Sequence, residues 1–161
     1  MRFFAHVAMV VTGFLLLAVS FAAPAHAQNN MPIRSGVFYE DRASSTSNGV
    51  VNLTFAQSPT DKFLNITNVA CDIQLGANQA LAYVEFNVGT TSGNPDLGRN
   101  YPLRGIVTPE IASNGAKYYS IVTNQIYYKM GPGRFPSIAV TSASTQTAYA
   151  NCIIVGNLSD N

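Results

Sequence analysis

The chain has 161 residues, and its 9 lysine and arginine side chains nearly balance its 8 aspartate and glutamate side chains. A net charge near zero provides no basic field for nucleic acid and no polybasic segment for acidic membranes. The length is that of one domain with a hydrophobic core. Hydroxyl and amide side chains replace most surface charges, which is typical of exported β-proteins.

The first 27 residues have the form of a secretory signal peptide. Arg2 supplies a positive charge, Val7–Ala23 is almost wholly apolar, and Ala25–Ala27 has the small-x-small form of a cleavage site. An apolar run of about 17 residues is at the short limit for spanning a bilayer, so we expect removal after Ala27 and no membrane insertion of the remainder. Both histidines of the chain would leave with the signal. We therefore expect an exported protein, periplasmic or extracellular.

The remainder alternates apolar and polar residues with almost no helical periodicity, which predicts strands. Residues 28–48 are predicted as an N-terminal segment, with a short strand at Gly36–Asp41 and a serine-rich loop at Ser44–Gly49. Residues 49–161 are predicted as the folded domain. Its first strand is Val50–Ala56, where Val51, Leu53 and Phe55 alternate with polar residues.

The next strand, within Lys62–Leu75, changes phase. Leu64 and Ile66 alternate, but they are one residue out of step with Val69, Cys71 and Ile73. An extra residue at Thr67-Asn68 would bring both sets to one face, so the pattern predicts a β-bulge there.

Turn residues divide the second half into further strands. Asn114-Gly115 is a hairpin-type turn, and Ala82, Val84, Phe86 and Val88 are predicted to share one face. The strands are predicted at Leu81–Val88, Tyr101–Val107, Lys117–Tyr128, Ser137–Ser142 and Gln146–Leu158. About eight strands in one domain predict an all-β, antiparallel, two-sheet sandwich of jelly-roll kind.

Two cysteines, Cys71 and Cys152, predict one disulfide in an exported protein. Each is in phase with apolar neighbours, so both are expected inside, linking an early strand to the last one. A redox site usually has a C-x-x-C pair, and zinc needs more ligands than two cysteines without histidine. We expect neither a cofactor nor a metal.

The order of these segments resembles a set of small exported β-sandwich proteins of proteobacteria. The shared features are the lysine-led strand Lys62–Val69, the cysteine just after it, a tyrosine-bearing strand, a glycine-proline loop, and the final segment Cys152–Gly156. Proteins of that set often precede the first strand with proline-x-glycine-lysine, whereas Pro59–Lys62 lacks the glycine. The resemblance implies the sandwich and the export, and together with the signal it points to a Gram-negative bacterium. It carries over no functional residue.

The segment Gly131–Phe135, GPGRF, is similar in composition to an anion-binding loop. An anion site needs converging backbone N–H groups, usually at a helix N-terminus, and Pro132 lacks one. The sequence favours a type II turn with Pro132 and Gly133 at its centre, flanked by Lys129 and Arg134 as solvated charges. A ligand-contacting loop remains the alternative.

Catalysis is not expected. Without histidine, the common general base is missing, so paired carboxylates for glycoside hydrolysis are the remaining option. Most acids have a structural explanation: two are expected in turns, Asp72 at the end of a strand and Glu110 in a loop. Glu85 alone is placed in mid-strand away from the core. The candidates are Glu85, Glu110, Asp61, Asp72 and Asp96.

Tyrosines point to binding instead. The chain has 8, and neighbours such as Tyr118-Tyr119 cannot both face the core. Exposed tyrosines suit sugar-stacking or protein-binding faces, although tyrosine is also a common strand residue on a solvated sheet. The candidate binding residues are Tyr83, Glu85, Tyr127 and Arg134.

These observations predict a non-catalytic, exported β-sandwich that binds a glycan or a protein, or is surface-associated. The first alternative is a self-assembling structural subunit, joined by strand addition at sheet edges and at the free segment Gln28–Gly36. The second is a small carboxylate-dependent hydrolase.

Overall fold

A computed structural model describes residues 31–96, 98–103 and 108–160, and it contains ten strands. Within those ranges no helix is long and apolar enough to cross a bilayer. The strands are β1 (Ile33–Ser35), β2 (Phe38–Asn48), β3 (Val50–Thr54), β4 (Phe63–Leu75), β5 (Leu81–Gly89), β6 (Tyr101–Pro102), β7 (Glu110–Ile111), β8 (Lys117–Met130), β9 (Phe135–Ser142) and β10 (Thr147–Ser159).

The strands form two antiparallel sheets. The larger sheet has the order β1-β2-β10-β4-β8-β7, and the smaller has the order β3-β9-β5-β6. Successive long strands alternate between the sheets, so β2-β10-β4-β8 is apposed to β3-β9-β5-β6, which is the jelly-roll arrangement. The predicted all-β sandwich is confirmed.

Apolar side chains of both sheets fill the space between them. Because neighbours alternate along a strand, every second residue of β10 from Ala148 to Gly156 is buried, and the same alternation runs through β4 on both sides of its phase change. The largest fully buried apolar side chains are Tyr39, Leu53, Leu64, Ile66, Ile73, Leu75, Phe86, Met130, Ile138 and Ile154.

The bulge predicted at Thr67-Asn68 is confirmed. Ile66 pairs with Gly156 and Asn68 pairs with Val155, so Thr67 is the extra residue. The buried side chains on both sides of it, from Leu64 to Ile73, consequently share one face. At this level the strands approach closely, since a Cβ added at Gly156 would lie 2.3 Å from the carbonyl oxygen of Asn65.

The predicted disulfide is also confirmed. Cys71 and Cys152 are directly opposite each other on β4 and β10, with their Cα atoms 4.1 Å apart. Both side chains are buried between the sheets.

Three local predictions are wrong. Ser44–Asn48 is not a loop but the end of β2, because it pairs with β10 as far as Thr147. Ala82 does not share the inner face of β5, because the β5–β9 register shifts between Leu81 and Tyr83 and leaves Ala82 exposed. The segment before Gly36 is not entirely free, because β1 pairs with β2.

Within the described residues, the strand predicted at Tyr101–Val107 is shorter than expected. Strand β6 contains only Tyr101 and Pro102, and residues 104–107 lie outside the described ranges. The Asn114-Gly115 turn is confirmed, since β7 and β8 form a hairpin closed by the hydrogen bond from Gly115 N to Ala112 O at 2.8 Å.

Removing the disulfide should destabilise the sandwich. The bond closes a loop of 81 residues, so Cys71→Ala/Cys152→Ala should lower the free energy of unfolding by about 2–5 kcal/mol. Urea unfolding of the variant and of reduced wild-type protein measures this loss, and the two should agree. A loss below about 1 kcal/mol would contradict the role assigned to the bond.

Adding a methyl group at the bulge should also destabilise the fold. Gly156→Ala places a Cβ against the backbone of Asn65 and Ile66, and such overpacking costs about 1–3 kcal/mol. Gly131→Ala is the matched control, because a Cβ there meets no atom within 4 Å. Equal free energies of unfolding for the two variants in urea would show that β10 does not approach β4 this closely at Gly156.

Candidate functional site

A groove of about 550 Å³ crosses the outer face of the larger sheet. The strands that form it, β10, β4, β8 and β7, are neighbours in that order. Its outward-facing lining residues are Tyr149 and Asn151 of β10, Asp72 and Gln74 of β4, Tyr118 and Ser120 of β8, Glu110 of β7, and Thr108.

Strand alternation explains why these polar side chains point outward. In β10, Ala150 and Cys152 are buried, so Tyr149 and Asn151 face the other way. In β8, Tyr119 is 5% exposed whereas Tyr118 is 43% exposed. This confirms that the adjacent tyrosines cannot both face the core.

The strand register arranges the groove into two lateral rows. In the first row Tyr149 is paired with Gln74, Gln74 with Tyr118, and Tyr118 with Glu110. The second row places Asp72 between Asn151 and Ser120. Tyr149 and Tyr118 are separated by one intervening strand, which sets their Cα atoms about 10 Å apart.

Two acids of the groove are placed differently from their predicted positions. Glu110 was expected in a loop, but the hairpin at Asn114-Gly115 makes it part of β7, opposite Tyr118. Asp72 was expected to end a strand, but it lies inside β4, three residues before the strand ends. Both side chains are exposed, and no described residue forms an ion pair with either of them.

The four residues singled out from the sequence are not brought together. Tyr83 and Glu85 lie on one face of β5 in the smaller sheet, with Tyr83 52% exposed and Glu85 accepting a hydrogen bond from Asn100 Nδ2 at 3.3 Å. Tyr127 belongs to β8 in the larger sheet. Arg134 lies in the turn between the sheets, so the four residues make no common site.

The GPGRF segment is a turn, as predicted, with Gly133 at a φ of 67°. It carries the chain from β8 in one sheet to β9 in the other. Backbone hydrogen bonds dock it on the segment after β3, from Gly133 N to Pro59 O at 3.0 Å and from Ser58 N to Arg134 O at 2.8 Å. The contacts of the turn are therefore structural.

The two basic residues beside this turn are not merely solvated charges, contrary to expectation. Arg134 Nη1 lies 3.5 Å from Asp96 Oδ2. Lys129 Nζ lies 4.7 Å from the centre of the Phe63 ring, a cation–π contact. Each charge thus has a partner within the fold.

Tyr127 occupies a strained bulge of β8. Asn124 pairs with Asn68 and Tyr128 pairs with Ile66, so three residues of β8 oppose Thr67 alone. Gln125 and Tyr127 have φ values of 64° and 51°, which bulky residues rarely adopt. The bulge buries Ile126 and leaves Tyr127 75% exposed.

A buried acid links the sheets. Asp41 of β2 is 3% exposed and accepts hydrogen bonds from Ala56 N and Arg42 N, each at 2.8 Å. Burial raises the pKa of Asp41, although both backbone N–H groups lower it. Burial and the adjacent Asp41 carboxylate raise the pKa of Tyr39 above its usual range. This pair lies in the core and not in the groove.

No group of three or more histidine, cysteine, aspartate or glutamate residues suited to a metal ion occurs in the described ranges. Asp96, one of the acids named from the sequence, pairs with Arg134. The chemistry of the groove is therefore that of aromatic, amide, hydroxyl and carboxylate side chains.

No protein-family model matches the chain, and no curated protein sequence matches it. Among solved structures, a chain of the cyanophage Pam1 capsid asymmetric unit is 13% identical over 87% of this chain and 99% of that chain, with a TM-score of 0.42. A bacterial lipoprotein from Bacteroides thetaiotaomicron is 8% identical over 85% of this chain and 92% of that chain, with a TM-score of 0.37. Similarities this weak do not bear on what the groove binds.

The buried Asp41 should make stability depend on pH. The pKa of Asp41 is raised in the folded protein. Asp41 therefore contributes fully to the free energy of unfolding below its unfolded pKa of about 3.9. The contribution is lost as pH rises through the pKa of the folded state. In Asp41→Asn, the side-chain amide N–H group faces one of the two backbone N–H donors, so one hydrogen bond is lost. The free energy of unfolding should fall by about 1–3 kcal/mol. The advantage of the wild type over this variant should be larger at about pH 3 than at about pH 7.

Urea unfolding across that pH range measures the difference. Asp61→Asn, at an exposed acid, is the reference for the loss of one negative charge. An advantage that grows with pH would show that the folded state favours the ionised form of Asp41.

Proposed function

We propose that this protein is a non-catalytic, exported binding module that holds a glycan chain across the outer face of its larger sheet. The observation that carries the proposal is the row Tyr149–Gln74–Tyr118, in direct register and lying in a groove. The two rings are 40% and 43% exposed, so each has a surface on which a ligand can lie.

The chemistry of the row suits sugars. The C–H faces of a sugar ring are apolar and stack on aromatic rings, while its hydroxyl groups need planar hydrogen-bonding partners. Gln74 lies between the tyrosines, and Asn151 and Asp72 lie in the neighbouring row. A chain running from β10 to β8 would therefore meet a ring, an amide and a second ring in turn.

The spacing of the rings favours a chain over a single sugar. With β4 between them, the tyrosines are about 10 Å apart, which matches the separation of alternate units in an extended β-linked glycan. Two stacked units and one hydrogen-bonded unit would then occupy the first row. Because the side chains project from paired strands, little ordering is needed on binding.

Export is supported by the buried disulfide between β4 and β10, because such bonds persist in oxidising compartments. The sequence of the first 27 residues agrees with this part of the proposal. Periplasmic and extracellular sites are equally consistent with it.

Binding is favoured over hydrolysis by the exposure of the two carboxylates. A glycosidase keeps one carboxylic acid protonated through an apolar or like-charged surrounding. Asp72 and Glu110 are both exposed, and two strand spacings with a two-residue offset place their Cα atoms about 12 Å apart. Neither has the surroundings of a general acid.

Truncating either ring should weaken binding without unfolding the protein. Tyr118→Ala and Tyr149→Ala should each reduce affinity for a β-linked hexasaccharide about fivefold or more, because each removes one stacking surface. Titration calorimetry with cello- and chito-oligosaccharides measures this. Since both rings are exposed, the free energy of unfolding should change by less than about 1 kcal/mol.

Tyr83→Ala is the matched control, because Tyr83 is an exposed strand tyrosine of the other sheet. Equal losses in all three variants would show that the groove is not the site. Failure of every oligosaccharide to bind the wild type would refute the proposal. In that case, concentration-dependent assembly in light scattering would support the structural-subunit alternative, and hydrolysis lost in Glu110→Gln would support the hydrolase.

A further inference from the structure

Among the described residues that line the groove, the negative charges have no basic partner. Of its described lining residues, Asp72 and Glu110 are acids and none is a lysine or an arginine. Three ion pairs occur between described residues, and neither acid takes part in them. In a chain whose charges otherwise nearly balance, these two carboxylates set the local field of the groove.

Two described bases close to the groove have other partners. Lys117 Nζ donates a hydrogen bond to Gln79 O at 2.6 Å. Arg42 lines a smaller hollow of about 150 Å³ beside the groove, which shares Asp72 and Asn151 with it. Its Nε lies 3.7 Å from Glu40 Oε1, so its charge already has a partner. The charged side chains among the described lining residues of the groove are therefore Asp72 and Glu110.

Each tyrosine of the row has a carboxylate within reach of a stacked ligand. Glu110 is directly opposite Tyr118. Asp72 is the diagonal neighbour of both Tyr118 and Tyr149, at about 7–8 Å, which long side chains and their ligands can bridge. A cationic group on a stacked sugar would also be attracted by the face of the ring.

We propose that the occupant of the groove is a β-linked polysaccharide whose sugar units carry free amino groups. The inference rests on the proposed function and specifies its ligand. Protonated amines would pair with Asp72 and Glu110 while the sugar faces stack on the two tyrosines. Sugars bearing carboxylate or sulfate groups are disfavoured, because their charges would face carboxylates of the same sign.

The test compares β-linked ligands of different charge. Titration calorimetry at low salt uses hexamers of β-1,4-linked glucosamine, N-acetylglucosamine and glucose, and a β-linked uronic acid oligomer. The glucosamine hexamer should bind about 2- to 10-fold more tightly than its N-acetylated form, because partly exposed ion pairs contribute modestly. The advantage should shrink as salt is added.

Variants assign the preference to the groove. In Asp72→Asn/Glu110→Gln the advantage of the amine should vanish while the N-acetylated hexamer still binds. Asp61→Asn removes a negative charge from an exposed residue outside the groove lining and should retain the advantage. Retention of the preference in the double variant, or equal or tighter binding of the uronic acid oligomer by the wild type, would overturn the inference.

The outcomes separate this inference from the proposed function. Tyrosine-dependent binding of the neutral hexamers without any preference for the amine would refute the inference alone. The absence of binding by every hexamer would refute both. Spermine that binds as tightly as the glucosamine hexamer, with no loss in Tyr118→Ala, would show that charge alone acts and would also overturn the inference.

Discussion

The pairing of Cys71 with Cys152 is the constraint on which the outer face of the larger sheet depends. In an antiparallel pair, one fixed contact sets the register as far as the next bulge. The bond therefore places Asp72 beside Asn151 and Gln74 beside Tyr149. A slip of one residue would turn Tyr149 towards the core and bring Ala150 to the surface, so the covalent bond holds the groove as well as the fold.

A second constraint acts at the other end of the same strands. At one level of the larger sheet, β4 carries the extra residue Thr67 and β8 carries the bulge Gln125–Tyr127. These irregularities keep the buried sets of each strand on one face, and the bulge of β8 contains the strained backbone of Tyr127. The groove lies beyond them, in the regular part of the sheet near the disulfide. Its side chains are thus held by uninterrupted pairing, which is the arrangement a preformed binding face requires.

The sequence predicts what depends on neighbours along the chain. The alternation of apolar and polar residues predicted the strands and the buried cysteines, and the phase change in β4 predicted the bulge. The Asn-Gly and Gly-Pro-Gly turns were recognisable from their residues. The groove was not predictable in this way, because Tyr149, Gln74 and Tyr118 become neighbours only through the order β10-β4-β8. Tyr83 and Glu85 were chosen together because a sequence displays proximity within one strand. They do share a face of β5, but Tyr127 and Arg134 lie elsewhere in the fold.

If the groove holds a glycan as proposed, the low charge of the chain gives it a means of selectivity. On a surface dense in charges, two carboxylates would be screened or paired by neighbouring bases, as Glu40 is by Arg42. Here hydroxyl and amide residues surround the site, so Asp72 and Glu110 act without competition from described bases. Stacking on rigid tyrosines contributes affinity at a small cost in side-chain entropy, and it does not distinguish one β-linked sugar from another. In the proposed complex, discrimination would come from the carboxylates, because they are the feature of the groove that responds to the charge of the ligand.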